Sequence, residues 1–387
     1  MSTIVAMVTL ACASADAPPA ATTAPTNCAP FGPAVASLPI ESGEYAHVFA
    51  HGDVDCDGLE DLLVGESRAR GTVWDGRVSV WRSLGDGRFI PTQTLPSGGI
   101  AHLLVADFDG NGAPDVVASE RFGVEEGRLA FFRGGCSAGL AQPTEIALPA
   151  DHALFDFETA DFDGDGFPDL VLAALRPSSG VSVVHGGARP FTRTSTNVVA
   201  ESRLAALTAG DLDGDGAPDV LLLEAPGPTL LARVVRNAGH GRMIDAGETA
   251  LLPFDPESVR LVDVDGDGLG DLVGMLDRQD GSPRRLQVLF GDGAGVFSEP
   301  QTLLSTPGPL AFVTGEQGHR FDLVALRPSS ATIVRMGRDH GVSLLEVPSP
   351  LGERALLFDA TGDGRLDLVF AADDGPRALL GRCPVPE

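Results

Sequence analysis

Residues 53–61 read Asp53-Val54-Asp55-Cys56-Asp57-Gly58-Leu59-Glu60-Asp61, and the apolar run Leu62-Leu63-Val64 follows at once. Acids at places one, three, five and nine of so short a stretch bring like charges round one point, an arrangement suited to a hard cation. Glycine at place six permits the sharp turn. The stretch recurs as Asp107-Phe108-Asp109-Gly110-Asn111-Gly112-Ala113-Pro114-Asp115. Further copies carry Asp161, Asp163, Asp165 and Asp169, then Asp211, Asp213, Asp215 and Asp219, then Asp263, Asp265, Asp267 and Asp271. A weaker copy holds Asp359, Thr361, Asp363 and Asp367. Before it lies a copy that has lost its acids (Thr314, Glu316, Gly318) but keeps Phe321-Asp322-Leu323-Val324. Start-to-start spacings are 54, 54, 50, 52, 51 and 45 residues, which makes seven units.

Self-similarity at a fixed period marks a repeat architecture. Each unit has one layout. A short strand enters the acidic loop (His47 to Gly52, His102 to Ala106), and a second leaves it (Val116-Val117, Leu170-Val171-Leu172). A third follows (Val78 to Trp81, Leu129 to Phe132, Gln287 to Phe290), then a Gly-rich hairpin and a closing strand (Phe89 to Leu95, Phe297 to Leu303). Four strands in about 50 residues is the size of a propeller blade. The expected fold is an all-β, seven-bladed propeller of four-stranded antiparallel blades over residues 28–387. The last unit lacks a fourth strand, and Phe31 to Ile40 stands ahead of the first unit without partners. Letting this N-terminal strand complete the last blade leaves no open sheet edge.

An EF-hand closes its loop with Glu at place twelve, between helices. Place twelve here is Val64, Ala118, Leu172, Leu222, Gly274 and Phe370, inside apolar strands. The motif Asp-x-Asp-x-Asp-Gly-x-x-Asp-Leu-Val instead resembles the FG-GAP or VCBS repeat, as in the propeller of integrin α-subunits. The resemblance covers residues 45 to 383. It implies that the loop carboxylates bind Ca²⁺ at about five strong sites and a weaker one at Thr361, with the sixth loop empty. A carbonyl at place seven and the acid at place nine are expected to complete each shell.

Composition agrees with a charged, exported binding module. There are 54 acidic residues against 27 basic ones, for a net charge of −27. All the basic residues are Arg. Such a balance argues against a nucleic-acid partner, which needs a basic footprint. No HExxH, nucleophile elbow, P-loop or CxxC occurs, and no His or Tyr recurs beside the loops. The expected function is a binding, adhesion or scaffold module for protein or glycan, with no catalytic residues. The alternative is the propeller scaffold of a secreted polysaccharide-active enzyme. The longest turn between second and third strands, Glu66 to Arg77, carries Arg68, Arg70 and Trp74, a hot-spot composition. It is expected to form a partner face opposite the acidic loops.

Residues 1–15 resemble an export signal. Ala13-Ser14-Ala15 fits a cleavage site, while Cys12 resembles a lipoprotein box in which Thr9 stands for the usual Leu. The segment therefore reads either as a lipidation signal at Cys12, with membrane attachment through the lipid, or as a plain secretory signal. Residues 16–27 have the Ala, Pro and Thr composition of a linker. Export permits disulfides. Cys383 follows the third strand of the last unit and Cys28 precedes the strand proposed to complete it, so the expected disulfide is Cys28–Cys383. Cys56 and Cys136 share a face but are read as too far apart to bond.

Overall fold

The computed structural model describes residues 31–36, 46–70, 73–121, 127–148, 154–174, 180–192, 194–199, 204–225, 230–252, 254–255, 258–276, 282–307, 310–317, 320–327, 330–336, 340–348, 355–372 and 375–381. Short Val- and Leu-rich runs between Gly, Pro and Asp form strands, because both faces of each run can be buried. The chain opens with β1 (Phe31–Ala36). Strands β2 (Ala46–Gly52), β3 (Asp61–Arg70), β4 (Val73–Ser83) and β5 (Phe89–Ala106) pair in antiparallel order. β5 continues into a second set with β6 (Asp115–Arg121), β7 (Gly127–Phe132) and β8 (Thr144–Ile146). The third set is β9 (Leu154–Ala160), β10 (Asp169–Ala174), β11 (Gly180–Val184) and β12 (Thr194–Val199). The fourth is β13 (Leu204–Gly210), β14 (Asp219–Glu224), β15 (Leu230–Asn237) and β16 (Met243–Leu252). The fifth is β17 (Arg260–Val262), β18 (Asp271–Leu276), β19 (Arg284–Leu289) and β20 (Gln301–Thr306). The sixth is β21 (Ala311–Gln317), β22 (Arg320–Arg327), β23 (Ser330–Met336) and β24 (Val342–Pro348). Finally β25 (Ala355–Phe358), β26 (Asp367–Ala372) and β27 (Gly375–Gly381) are joined by β1, in the order β1-β27-β26-β25.

The cores lie between sheets. Successive side chains of a strand point to opposite faces, and each strand feeds two cores. Leu63 packs with Leu103, Val116 and Phe132 on the side of β5–β7. Its neighbours Leu62 and Val64 pack with Leu356, Phe358 and Val369 on the side of β25–β26. Phe108, Phe131, Phe157 and Leu170 join the second set to the third, and Val171, Val183, Leu207 and Val220 join the third to the fourth. Leu221 and Leu272 share a core, as do Val273 and Phe312, and Val324 and Leu357. The architecture is a propeller-like series of small antiparallel sheets, each packed face to face on the next.

Two expectations about elements need correction. The closing strand of the first unit and the entering strand of the second are one strand, β5, not two. Its middle is held by the Gly98 amide, which donates to Glu120 Oε1 (2.8 Å), and by Ser67, whose hydroxyl donates to the Ile100 carbonyl (2.6 Å). The supposed turn Glu66 to Arg77 is mostly ladder. β3 and β4 stay paired to Arg70 opposite Val73. Gly76 makes this pairing feasible, since a Cβ there would lie 2.3 Å from the carbonyl oxygens of Glu66 and Gly98. The N-terminal strand is described over Phe31–Ala36, with 37–40 outside the described residues, and it pairs with β27, Phe31 opposite Gly381 and Ala36 opposite Arg377. In the sixth copy, expected to have lost its acids, β21 and β22 stay paired as far as Gln317 opposite Arg320.

Candidate metal centres

Six loops join the first strand of a set to the second, and each begins where the ladder ends. The last paired residues are Gly52 with Asp61, Ala106 with Asp115, Ala160 with Asp169, Gly210 with Asp219, Val262 with Asp271 and Phe358 with Asp367. The ninth-place acid therefore opens the second strand, and its carboxyl is at most 1 % exposed in every loop. One oxygen accepts the amide of the second loop residue: Val54 to Asp61 (3.3 Å), Phe108 to Asp115 (3.0 Å), Phe162 to Asp169 (3.0 Å), Leu212 to Asp219 (3.2 Å), Val264 to Asp271 (3.0 Å) and Ala360 to Asp367 (3.1 Å). The other accepts an amide at the end of the third strand, from Ser83, Gly134, Gly186, Asn237, Gly291 or Gly381 (2.6–3.0 Å). This carboxyl clamps loop to sheet, a duty the sequence pattern did not disclose. Burial pushes it up, to about 7 at Asp61, Asp115 and Asp271 and about 6 at Asp169, Asp219 and Asp367.

The first and fifth places fold the loop. The first carboxylate accepts the glycine amide at place six: Gly58 to Asp53 (2.9 Å), Gly112 to Asp107 (2.8 Å), Gly166 to Asp161 (2.9 Å), Gly216 to Asp211 (2.9 Å), Gly268 to Asp263 (2.9 Å) and Gly364 to Asp359 (2.7 Å). The fifth accepts the amide two residues on, through Asp57, Asn111, Asp165, Asp215, Asp267 or Asp363 (2.8–3.0 Å). Each Asx turn fixes a carboxylate or amide oxygen without using all its lone pairs. Oxygens of Asp53, Asp55 and Asp57 lie within 4.8 Å of one another, as do those of Asp161, Asp163 and Asp165. So do those of Asp107, Asp109 and Asp115, and of Asp211, Asp213 and Asp219.

Place three is the distinctive one. Oδ1 of Asp55 and of Asp213 is buried with no hydrogen-bond partner. The other oxygen meets a cation that sequence reasoning missed. Arg82 reaches Asp55 (2.8 Å) and Asp57 (2.6 Å), Arg133 pairs with Asp109, and Arg236 reaches Asp213 (2.8 Å). In the third loop the group is His185, 3.2 Å from Asp163 and 3.5 Å from Asp169. All four residues stand next to the clamped amide, at the end of a third strand. In the fifth loop that position is Phe290, which stacks on His340 (3.8 Å between centroids), and His340 reaches Asp265 (2.9 Å). The signal available in sequence was a basic residue closing the third strand of each of the first four units.

An all-oxygen set of this size suits a hard divalent cation at ~2.3–2.6 Å, and the two unpartnered buried oxygens fit the same reading. The arginines contacting place three are more than a third exposed, so they can swing away when an ion enters. Residues 53–118, 161–222 and 211–274 match the model of the FG-GAP-like repeat. The chain carries FG-GAP-like repeats. The matches take in the first five loops. The fold is also similar to that of the BP39L lectin from Burkholderia pseudomallei, at 17% sequence identity and a TM-score of 0.54, over 90% of this chain and 99% of that one. The Asp359 loop lies outside the FG-GAP matches yet builds the same clamp, with Thr361 at place three.

The other expected sites divide. Arg68 and Trp74 are half-buried near the end of the β3–β4 hairpin, at the far end of β3 from Asp61; the side chain of Arg70 is outside the described residues. Cys12, Cys28 and Cys383 lie outside them as well. Cys56 and Cys136 correct the expectation directly: they form a disulfide, with Cα atoms 5.0 Å apart. The FG-GAP loop of the first set and the turn after β7 of the second lie side by side, because β5 is shared by both sets and fixes their spacing.

Proposed function

We propose that this chain is an exported, seven-bladed propeller that binds Ca²⁺ in its FG-GAP loops and uses that rigid frame to bind a protein or glycan. The observation that carries the reading is the acidic loop itself, built six times, with oxygens of places one, three and five gathered in the first and third loops and of places one, three and nine in the second and fourth. Seven four-strand sets support the blade count, with β5 serving two of them and β1 completing the last. Packing of β2–β5 on β25–β27 supports closure into a ring. The ions act structurally, pinning the turn between the first and second strands of each blade. The glycan class draws on the lectin similarity, and the BP39L title says nothing of this chain's own ligand. Export is proposed from the N-terminal signal-like segment and fits extracellular Ca²⁺ sites of ~10⁻⁴–10⁻³ M affinity.

Ca²⁺ uptake by equilibrium dialysis should show about five tight ions and a weaker sixth. Ca²⁺ at 100 times its dissociation constant adds about 2.7 kcal/mol per site by mass action, so the melting temperature should rise with Ca²⁺ and fall with EDTA. An unchanged midpoint removes the ions from the account. Arrays of glycans and proteins, run with Ca²⁺ and with EDTA, then identify the ligand. Replacing Arg68, Arg70 and Trp74 together with Ala should weaken that binding at least tenfold; unchanged affinity places the partner elsewhere.

A further inference from the structure

We propose that the Cys56–Cys136 disulfide positions the ligands of the first loop and makes its affinity for a divalent cation depend on redox state. The inference rests on the cation reading above. Place four is glycine in the other five acidic loops, and each of those glycines is left-handed: Gly110, Gly164, Gly214, Gly266 and Gly362 have φ between 70° and 78°. The first loop needs the same turn but has cysteine there, and Cys56 has φ 59°. An L-residue pays a steric cost in this region that glycine does not. Something other than intrinsic preference must hold it.

The disulfide supplies that hold. Cys56 stands between Asp55 and Asp57, two of the three clustered carboxylates. With residue 56 left-handed, the Asp57 and Gly58 amides turn back onto the two oxygens of Asp53 (2.9 Å each). Its partner Cys136 sits in a tight turn of the next set, where the Ala138 and Gly139 amides both donate to the Gly135 carbonyl (2.9 and 2.8 Å). The cross-link ties the strained residue to a rigid anchor. Both cysteines are exposed, so a reductant can reach them, and exposed disulfides are the labile ones. A dithiol would donate two electrons and two protons. The S–S bond breaks, Cys56 and Cys136 become thiols, and the dithiol closes to its own disulfide. Residue 56 is then free to leave the left-handed region and carry Asp55 and Asp57 apart.

Terbium is a suitable probe, because both tryptophans of the chain, Trp74 and Trp81, lie on β4, and Trp81 precedes the Arg82 that touches Asp55 and Asp57. Tryptophan-sensitised terbium luminescence therefore favours the first loop, and Asp55→Ala identifies its share. Three proteins are compared in metal-free buffer: the oxidised chain, the variant C56A/C136A and the variant C56G/C136A. The expected result is tight binding by the oxidised chain and by C56G/C136A, and at least tenfold weaker binding at this loop by C56A/C136A. Reducing the natural chain should reproduce the alanine result, reversed on reoxidation. Equal affinity in all three, with the other loops loaded, overturns the positioning role while leaving the cation reading intact. Weak binding by C56G/C136A as well would support the positioning role and assign it to the cross-link itself rather than to the left-handed turn. If the oxidised chain takes up no cation at any loop, the cation reading itself has failed.

Discussion

The connection from β17 to β18 and the one from β21 to β22 join equivalent strands by different means. In the first, pairing stops at Val262 opposite Asp271, and eight residues leave the sheet as an acidic loop. In the second, the ninth-place Asp322 lies opposite Gly315, and the ladder continues to Gln317 opposite Arg320. Both sets still form four-stranded antiparallel sheets and share one core through Val273 and Phe312. Strand pairing therefore does not require the loop. With the aspartates of places one, three and five gone, the ladder runs on to Gln317 opposite Arg320, and what disappears is the cluster of oxygens. A loop of eight residues that turns the amides of Val264, Gly266, Asp267, Gly268 and Leu269 onto its own acids is maintained for what it holds.

The largest test of this contrast is the clamp. Asp271→Ala removes the acceptor for the buried Val264 amide and the half-buried Gly291 amide. Each buried group left unsatisfied costs about 1–3 kcal/mol, so urea unfolding should show a loss of about 3 kcal/mol or more. A loss under about 1 kcal/mol would mean that the fifth loop is as dispensable to the sheet as the missing sixth one.

The next effect is on pH. In the ion-free chain burial lifts Asp61, Asp115 and Asp271 to about 7 and Asp169, Asp219 and Asp367 to about 6, above the ordinary 3.8 that the unfolded chain keeps. Between those limits the folded chain holds more protons than the unfolded one, so stability falls as pH rises through the window. In EDTA the melting temperature should drop from about pH 5 to about pH 8, the interval that spans these values. In Ca²⁺ the slope should flatten, because the ion takes over the neutralising role of the proton. A chelated protein that grows more stable over this range would contradict the burial of the clamps as uncompensated acids.

Most of the sheet plan was legible in the sequence, because spaced Asp-Gly motifs and Val/Leu runs each have one local solution. The β5 continuity was not, since Pro96, Ser97, Gly98 and Gly99 read as a turn, and only Glu120 and Ser67 from neighbouring strands reveal a ladder. The long β3–β4 hairpin was hidden for the same reason: Gly76 looks like a turn residue until a third strand is seen to press against it. At the loops, places one, five and six announced themselves. Arg82, Arg133, His185 and Arg236 did not, because they approach from the third strand, 22 to 27 residues after the place-three acid they contact. Cys136 was misjudged because sequence order hides that two sets share one strand.

The smallest test separates one ion from none. Asp165→Ala should remove one bound Ca²⁺ while changing ion-free stability by under about 1 kcal/mol, since its loop position is exposed. Glu316→Ala in the loop-less connection should leave the Ca²⁺ count unchanged. If both variants lose an ion, the degenerate copy is a site after all, and the contrast between the two connections dissolves.

The pairing of β1 with β27 governs how the chain is assembled. Phe31 leaves the ribosome early, and its partner Gly381 comes more than three hundred residues later. For most of synthesis β1 has no place to go. When β27 does emerge, it presents an unpaired edge until the early segment returns to it. Edges of this kind are templates for strands from other chains, and long-range pairing is the slow part of β-sheet folding. The last step of folding is therefore a competition between one's own first strand and a neighbour's, and at high concentration the product of losing it is a strand-exchanged oligomer.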